Sequence, residues 1–202
     1  MRVLHRTVRL ALLACLWAAP SFAGAPLAEF AGWAPEPGVE EPSYAVIEPK
    51  STNLNIDSVV LVCEEAGDRR GLQLQIYLST EGPLAPKGVE SRLLKDEPRA
   101  EIAIDGRIFP VGIFFADVYA VLADETEQRI PVLSEPLLDA MTTGKTMVLR
   151  FDLVAERAGQ PAAFDGEAVI ALQAGGGGAA VSAVRRCAAT GHRTAAVAQA
   201  PR

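Results

Sequence analysis

Along residues 71–79, "GLQLQIYLS", Leu72, Leu74, Ile76 and Leu78 alternate with Gln73, Gln75, Tyr77 and Ser79. A two-residue period predicts a strand with one dry face and one wet face. In the apolar run just before it, 58–64, Val59, Leu61 and Cys63 fall on one side. The turn-rich "EAGDRRG" between the two predicts a hairpin. Further on, "AEIAIDGRIFPV" sets Asp105-Gly106 between alternating runs. That is the signature of a two-residue type I′ turn, in which both central residues take positive φ. Residues 112–124, "GIFFADVYAVLAD", read as one more strand, and "QRIPVL" as a short one confined to a sheet edge by Pro131. "TMVLRFDLV" and "FDGEAVIALQ" supply two further alternating strands.

Only two stretches carry a helical period. In "SEPLLDAMTTGK", Ser134 is placed to cap, Pro136 lies in the first turn and Gly144 follows the last, with Leu137, Leu138 and Met141 along one face. Near the end, Ala180, Val181, Val184, Cys187 and Ala188 share a helical face, and Arg185 and Arg186 turn outward. Gly175–Gly178 ahead of this helix read as a flexible connector. A phosphate-binding loop would need the Lys-Ser/Thr that this stretch lacks.

The two ends differ from this β-rich body. Residues 1–23 have a positive segment (Arg2, Arg6, Arg9), an apolar run from Leu10 to Ala19, and Ser21-Phe22-Ala23 at a cleavage position: a secretory signal peptide. Cys15 in "LLAC" is an alternative lipid-acceptor site. Residues 24–42 are a Pro- and Glu-rich extended leader, in which Trp33 either docks on the domain or serves as an anchor for a partner. Residues 43–188 form one domain of about 146 residues, enough to bury roughly 70% of its unfolded surface. Residues 189–202 are Ala-rich and aperiodic, and are expected to be a disordered tail.

Export changes the charge and the cysteine chemistry. Losing residues 1–23 takes the 19 basic residues to 16 against 25 acidic ones, a net charge of −9. Such a chain repels phosphate backbones and anionic membranes, so nucleic acid is disfavoured as a partner, and no second apolar run is long enough for a membrane span. Cys63 and Cys187 then remain, and in an oxidising compartment they read as one disulfide, with two buried free thiols as the alternative. The bond would bolt the last helix to the sheet and close a loop of about 124 residues.

Catalytic sets are absent from the pattern. "G-x-S-x-G" does not occur, and the one histidine outside the signal, His192, lies in the tail. Neighbouring acids occur at Glu64-Glu65, at Asp124, Glu125 and Glu127, and at Asp165 and Glu167. They would serve a carboxylate-pair hydrolase only if two faced one cleft. "ADETEQ" lacks the ligand spacing and glycine of a calcium loop. Two paired basic steps stand out, Arg69-Arg70 and Arg185-Arg186, and either is a candidate partner patch, as are Tyr77 and Trp33.

In the C-terminal half, "IAIDG", "LLDAMTTGKTMVLRF" and "AVIALQAGGGGAAVSAVRR" follow one another as strand-turn, short helix ending in Gly-Lys, strand, and strand-glycine-helix. Together with "AGWAPEP" near the start, this order resembles the invasion-associated locus B family of exported alphaproteobacterial proteins. The resemblance implies a β-rich, non-enzymatic protein of host-cell interaction or envelope function, with no catalytic residues to carry over. The family has further cysteines in its middle, where this chain has none.

Taken together, the expectation is a mainly β protein, an antiparallel β-sandwich or flattened barrel with a short internal helix and a C-terminal helix. Its expected role is a non-catalytic, periplasmic or secreted module for protein–protein interaction, without cofactor or metal. A small-ligand or glycan carrier, with a cavity lined by Phe114, Phe115 and Tyr119, and a carboxylate-pair hydrolase are the alternatives. The partner would be an unknown protein of the envelope or of a host cell.

Overall fold

The computed structural model describes residues 32–67, 69–79, 82–116 and 118–198, with side chains as far as 189. Residues 1–31, which hold the expected signal segment and the first residues of the expected leader, and residues 199–202 lie outside the described residues. The fold is mainly β. Ten strands make one sheet: β1 (Ala34–Pro35), β2 (Tyr44–Ile47), β3 (Ser51–Thr52), β4 (Ile56–Ala66), β5 (Arg69–Leu78), β6 (Leu94–Ile104), β7 (Arg107–Phe115), β8 (Tyr119–Ala123), β9 (Thr146–Val154) and β10 (Gly166–Ala171). Among the described residues two α-helices accompany it, α1 (Glu135–Thr143) and α2 (Gly177–Ala198), with two short 3-10 turns at Ser91–Leu93 and Ala174–Gly176. Every pairing is antiparallel, in the order β1-β2-β4-β5-β8-β7-β6-β9-β10-β3.

Chain length forces this sheet to curl. Strands β2 and β3 stand second and last in the order, about 38 Å apart were the sheet flat, at roughly 4.8 Å per strand. Yet only residues 48–50 separate them, a reach of about 14 Å at full extension. The sheet therefore bends into a half-barrel that brings its two edges near each other. Leu54, Leu61, Leu74, Ile76, Leu122, Leu149 and Phe151 fill its interior, each fully buried. One face of α1 (Leu137, Leu138, Met141) and one of α2 (Ala180, Val181, Val184) complete the core.

The locally encoded elements form as the sequence predicts. Asp105 and Gly106 take φ of 47° and 89° between β6 and β7. Ser134 caps α1 by accepting the Leu137 N–H. In the β4–β5 hairpin Cys63 faces inward with Val59 and Leu61, all three buried. Its partner Cys187 lies on α2, and the two form a disulfide with Cα atoms 6.3 Å apart.

Four readings change. Residues 112–124 are not one strand: the chain reverses after Phe115, the Ala116 N–H bonds the Tyr119 carbonyl, and β8 returns beside β7. "QRIPVL" is not a strand either. Only Val132 bridges back to Glu125, while Leu133 donates to the Leu72 carbonyl and so draws the segment against β5. The expected wet face of β5 is covered at Gln73 and Gln75, which are 6% and 4% exposed. Gln73 Nε2 donates to the Pro131 carbonyl at 2.7 Å, and Gln75 sits between Val60 and Val121 of the flanking strands. Finally, the glycine run is not a loose connector: Gly175 and Gly176 take φ of 60° and 83°, and at Gly177, the first residue of α2, a Cβ would lie 1.7 Å from the Leu172 carbonyl oxygen. α2 itself runs to Ala198.

Candidate functional site

Arg69 and Arg70 open β5, Arg129 lies on the connection from β8 to α1, and Arg185 and Arg186 sit on the outer side of α2. The fold gathers all five around one groove of about 520 Å³. Its floor is apolar, with Leu72, Val132, Leu133 and Leu138, and Glu125 and Glu135 stand at the rim. The lining thus carries five cations and two anions, in a chain whose formal net charge is −6.

Each wall has a local cause. Gly71 lets the β8–α1 connection approach β5, because a Cβ there would meet Val132 Cγ1 at 2.3 Å. The Asp124 carboxylate, which accepts from the Ser134 N–H at 2.7 Å and from its hydroxyl, fixes the far end of that connection at the helix cap. The disulfide anchors α2 beside β4 next to Arg186.

The arginines divide into two sets. Arg185 pairs with Glu135 and, at 2.8 Å, with Asp139, so it ties α2 to α1 rather than standing free as the sequence reading had it. Those two carboxylates hold its guanidinium protonated above the usual range, against burial pulling the other way. Arg70 pairs with Glu65. Arg69, Arg129 and Arg186 are exposed and make no ion pair among the described residues.

The other two candidate partner residues lie elsewhere. Trp33 is 3% exposed and packs into the core beside Gly177, with its indole N–H unpartnered, so it presents nothing to a partner. This is the docking alternative for the leader, and β1, which follows Trp33 directly, extends the sheet edge. Tyr77 is half-buried, stacks on Tyr119 with ring centroids 5.4 Å apart, and donates its hydroxyl to Gln75. Phe114 and Phe115 are neighbours on one strand and face opposite sides, so they do not line one cavity with Tyr119. Phe115 borders a separate hollow of about 350 Å³ with Leu84, Leu94 and Leu153.

The neighbouring acids are engaged in holding the fold. Asp165 accepts the Leu153 and Val154 N–H groups, and Glu64 accepts from Gln75. Asp105 accepts from Lys145 N at 2.8 Å and Thr146 N at 3.0 Å, which lowers its pKa. The carboxyls of Glu36, Asp152 and Glu156 are likewise held below their ordinary values. Among the described residues no three His, Cys, Asp or Glu side chains assemble into a metal-binding group. No helix there is long and apolar enough to cross a membrane.

The groove was missed because its two arginine pairs are separated by most of the domain, and only tertiary structure joins them. A signal did exist: they are the adjacent basic pairs of an acidic chain. Comparison with protein-family models, with curated proteins and with solved structures finds no match to this chain.

Proposed function

We propose that this chain is an exported, non-catalytic interaction module whose working surface is the arginine-lined groove between β5, the β8–α1 connection and α2. The observation that carries the reading is the concentration of five arginines around one groove in a chain of net negative charge. Arg70 and Arg185 are already paired with carboxylates, but the exposed Arg69, Arg129 and Arg186 repel one another, and that cost is offset when an anionic partner arrives. The disulfide supports export, since such bonds persist in oxidising compartments. The likeness to the invasion-associated locus B family points the same way.

A photo-crosslinking residue placed at Gln128, on the groove, should give discrete higher-mass adducts in cells exporting the protein. The same residue at Lys87, which borders a different hollow, should not. Identical adduct patterns at both positions, or none at Gln128, would remove the groove as the working surface.

A further inference from the structure

Resting on that reading, we infer that the groove takes an extended acidic peptide segment, in which Asp or Glu side chains alternate with apolar ones. Three features select this class. The cations come from three separate elements (Arg69 and Arg70, Arg129, Arg185 and Arg186) and so ring the groove instead of converging on one point. A lone phosphate or carboxylate would reach only a fraction of them, whereas carboxylates spaced along a strand reach several, with bidentate geometry open at Arg69, Arg129 and Arg186. The floor between the cations is apolar, at Leu72, Val132, Leu133 and Leu138, which suits the intervening side chains of a peptide and not a bare anion. The volume, about 520 Å³, is in the range that encloses a few residues.

The charge of the whole molecule separates the peptide from polyanions. A nucleic acid or an anionic membrane presents charge over a wide area and must approach the net negative surface surrounding the groove. A short acidic segment samples only the guanidiniums of Arg69, Arg129 and Arg186, because Arg70 and Arg185 already face the carboxylates of Glu65, Glu135 and Asp139. Glu125 at the rim adds a selective element: it repels carboxylates at one place and so restricts the register in which the segment lies, while the Glu135 charge is taken up by Arg185.

The test is fluorescence anisotropy of a labelled octapeptide alternating glutamate with leucine, titrated with the folded, disulfide-bonded protein. Saturable binding is expected that weakens at least tenfold in R129E R186E and falls steeply between 50 and 500 mM NaCl. Both side chains are exposed, so thermal unfolding should be unchanged by the pair; R186S provides a milder second variant. Equal binding of a glutamine–leucine octapeptide would overturn the proposal, as would phosphatidylglycerol vesicles or millimolar inorganic phosphate displacing the acidic peptide in full. Self-association of the wild type lost in R129E R186E would also overturn it, giving the groove to a second copy of the chain. If Gln128 crosslinks a partner in cells while the acidic octapeptide does not bind, the peptide class fails and the groove stands.

Discussion

Cys63 on β4 and Cys187 on α2 are joined with their Cα atoms 6.3 Å apart, one residue from Arg186 and two from Arg185. The bond therefore fastens α2 at the level where its arginines border the groove, and it closes 124 residues of chain. On either side of the bond, Arg185 pairs with Glu135 and Asp139 of α1, and Ala188 packs against the core.

Replacing both cysteines by serine should lower stability by about 2–4 kcal/mol, short of the roughly 5 that chain entropy alone would give for so long a loop. At this size the loss corresponds to a fall in Tm of about 5–15 °C. Differential scanning calorimetry of the C63S C187S variant beside the oxidised protein checks it. Reduction of the wild type should reproduce the variant's curve. An unchanged Tm would show that packing of Val181 and Val184 alone holds the helix.

At the opposite side of the sheet a carboxylate is enclosed by cations. Asp152 on β9 is fully buried, and from β6 Lys95 and Arg99 reach it across a register shift between Leu94 and Arg99. Burial pushes its pKa up, but the bonds from Lys95 and Arg99 outweigh that and hold the group below the usual range. Removing one member of a buried pair costs about 3–5 kcal/mol where both charges are sealed in. Here Arg99 is 60% exposed and can rehydrate. We therefore expect D152N to cost less, about 1–3 kcal/mol, by urea unfolding. The neighbouring E156Q, which removes only an outer partner of Lys95, should stay within about 0.5 kcal/mol.

The depressed carboxyls also fix the direction of the pH dependence. Glu36, Asp105, Asp152 and Glu156 all titrate lower folded than unfolded. Their contribution is complete above the unfolded values of about 3.9 for Asp and 4.3 for Glu, and is lost as pH falls through the folded ones. Thermal stability should therefore be level from neutrality to about pH 5 as far as these groups are concerned, then decline steeply below about pH 4. In D105N the acid limb should be shallower, because the Lys145 and Thr146 N–H groups then lose an acceptor whose charge is at stake. A wild-type Tm that rises on acidification from pH 5 to pH 3 would contradict the assignment.

What could be read from the sequence was what neighbours in sequence encode. Asp105-Gly106 needed only its own backbone preference, α1 only Ser134, Pro136 and Gly144, and the pairing of Cys63 with Cys187 only that these are the two cysteines outside residues 1–23. The covered face of β5 could not be read, because Gln73 and Gln75 look solvent-seeking until the Pro131 segment and the flanking valines close over them. Strands β1 to β3 are too short to show a period, and their place at the sheet's two edges depends on the curl. The groove was hidden for a related reason. Each arginine pair is an ordinary surface feature alone, and its meaning comes from a helix crossing a hairpin at the far end of the domain.

The first glycine of α2 gives the last case, since two effects of opposite sign compete at Gly177. Alanine is a better helix former than glycine by about 1 kcal/mol, and Gly177 begins α2 with φ −52°, which alanine adopts freely. Against this, the added Cβ would lie 1.7 Å from the Leu172 carbonyl oxygen and 2.9 Å from Trp33 Cδ1. The first of these is backbone at the end of β10 and the second a ring packed in the core, so neither yields easily. Overpacking of this kind costs about 1–3 kcal/mol in compact interiors, and contact with a carbonyl places G177A at the upper end. The steric term wins, and α2 must lift at its start. G177A should then show a lower Tm together with a red-shifted emission from Trp33, the only tryptophan outside residues 1–23. A more stable G177A with unshifted emission would mean that α2 relaxes along its axis, and that the helix is held at its disulfide end alone.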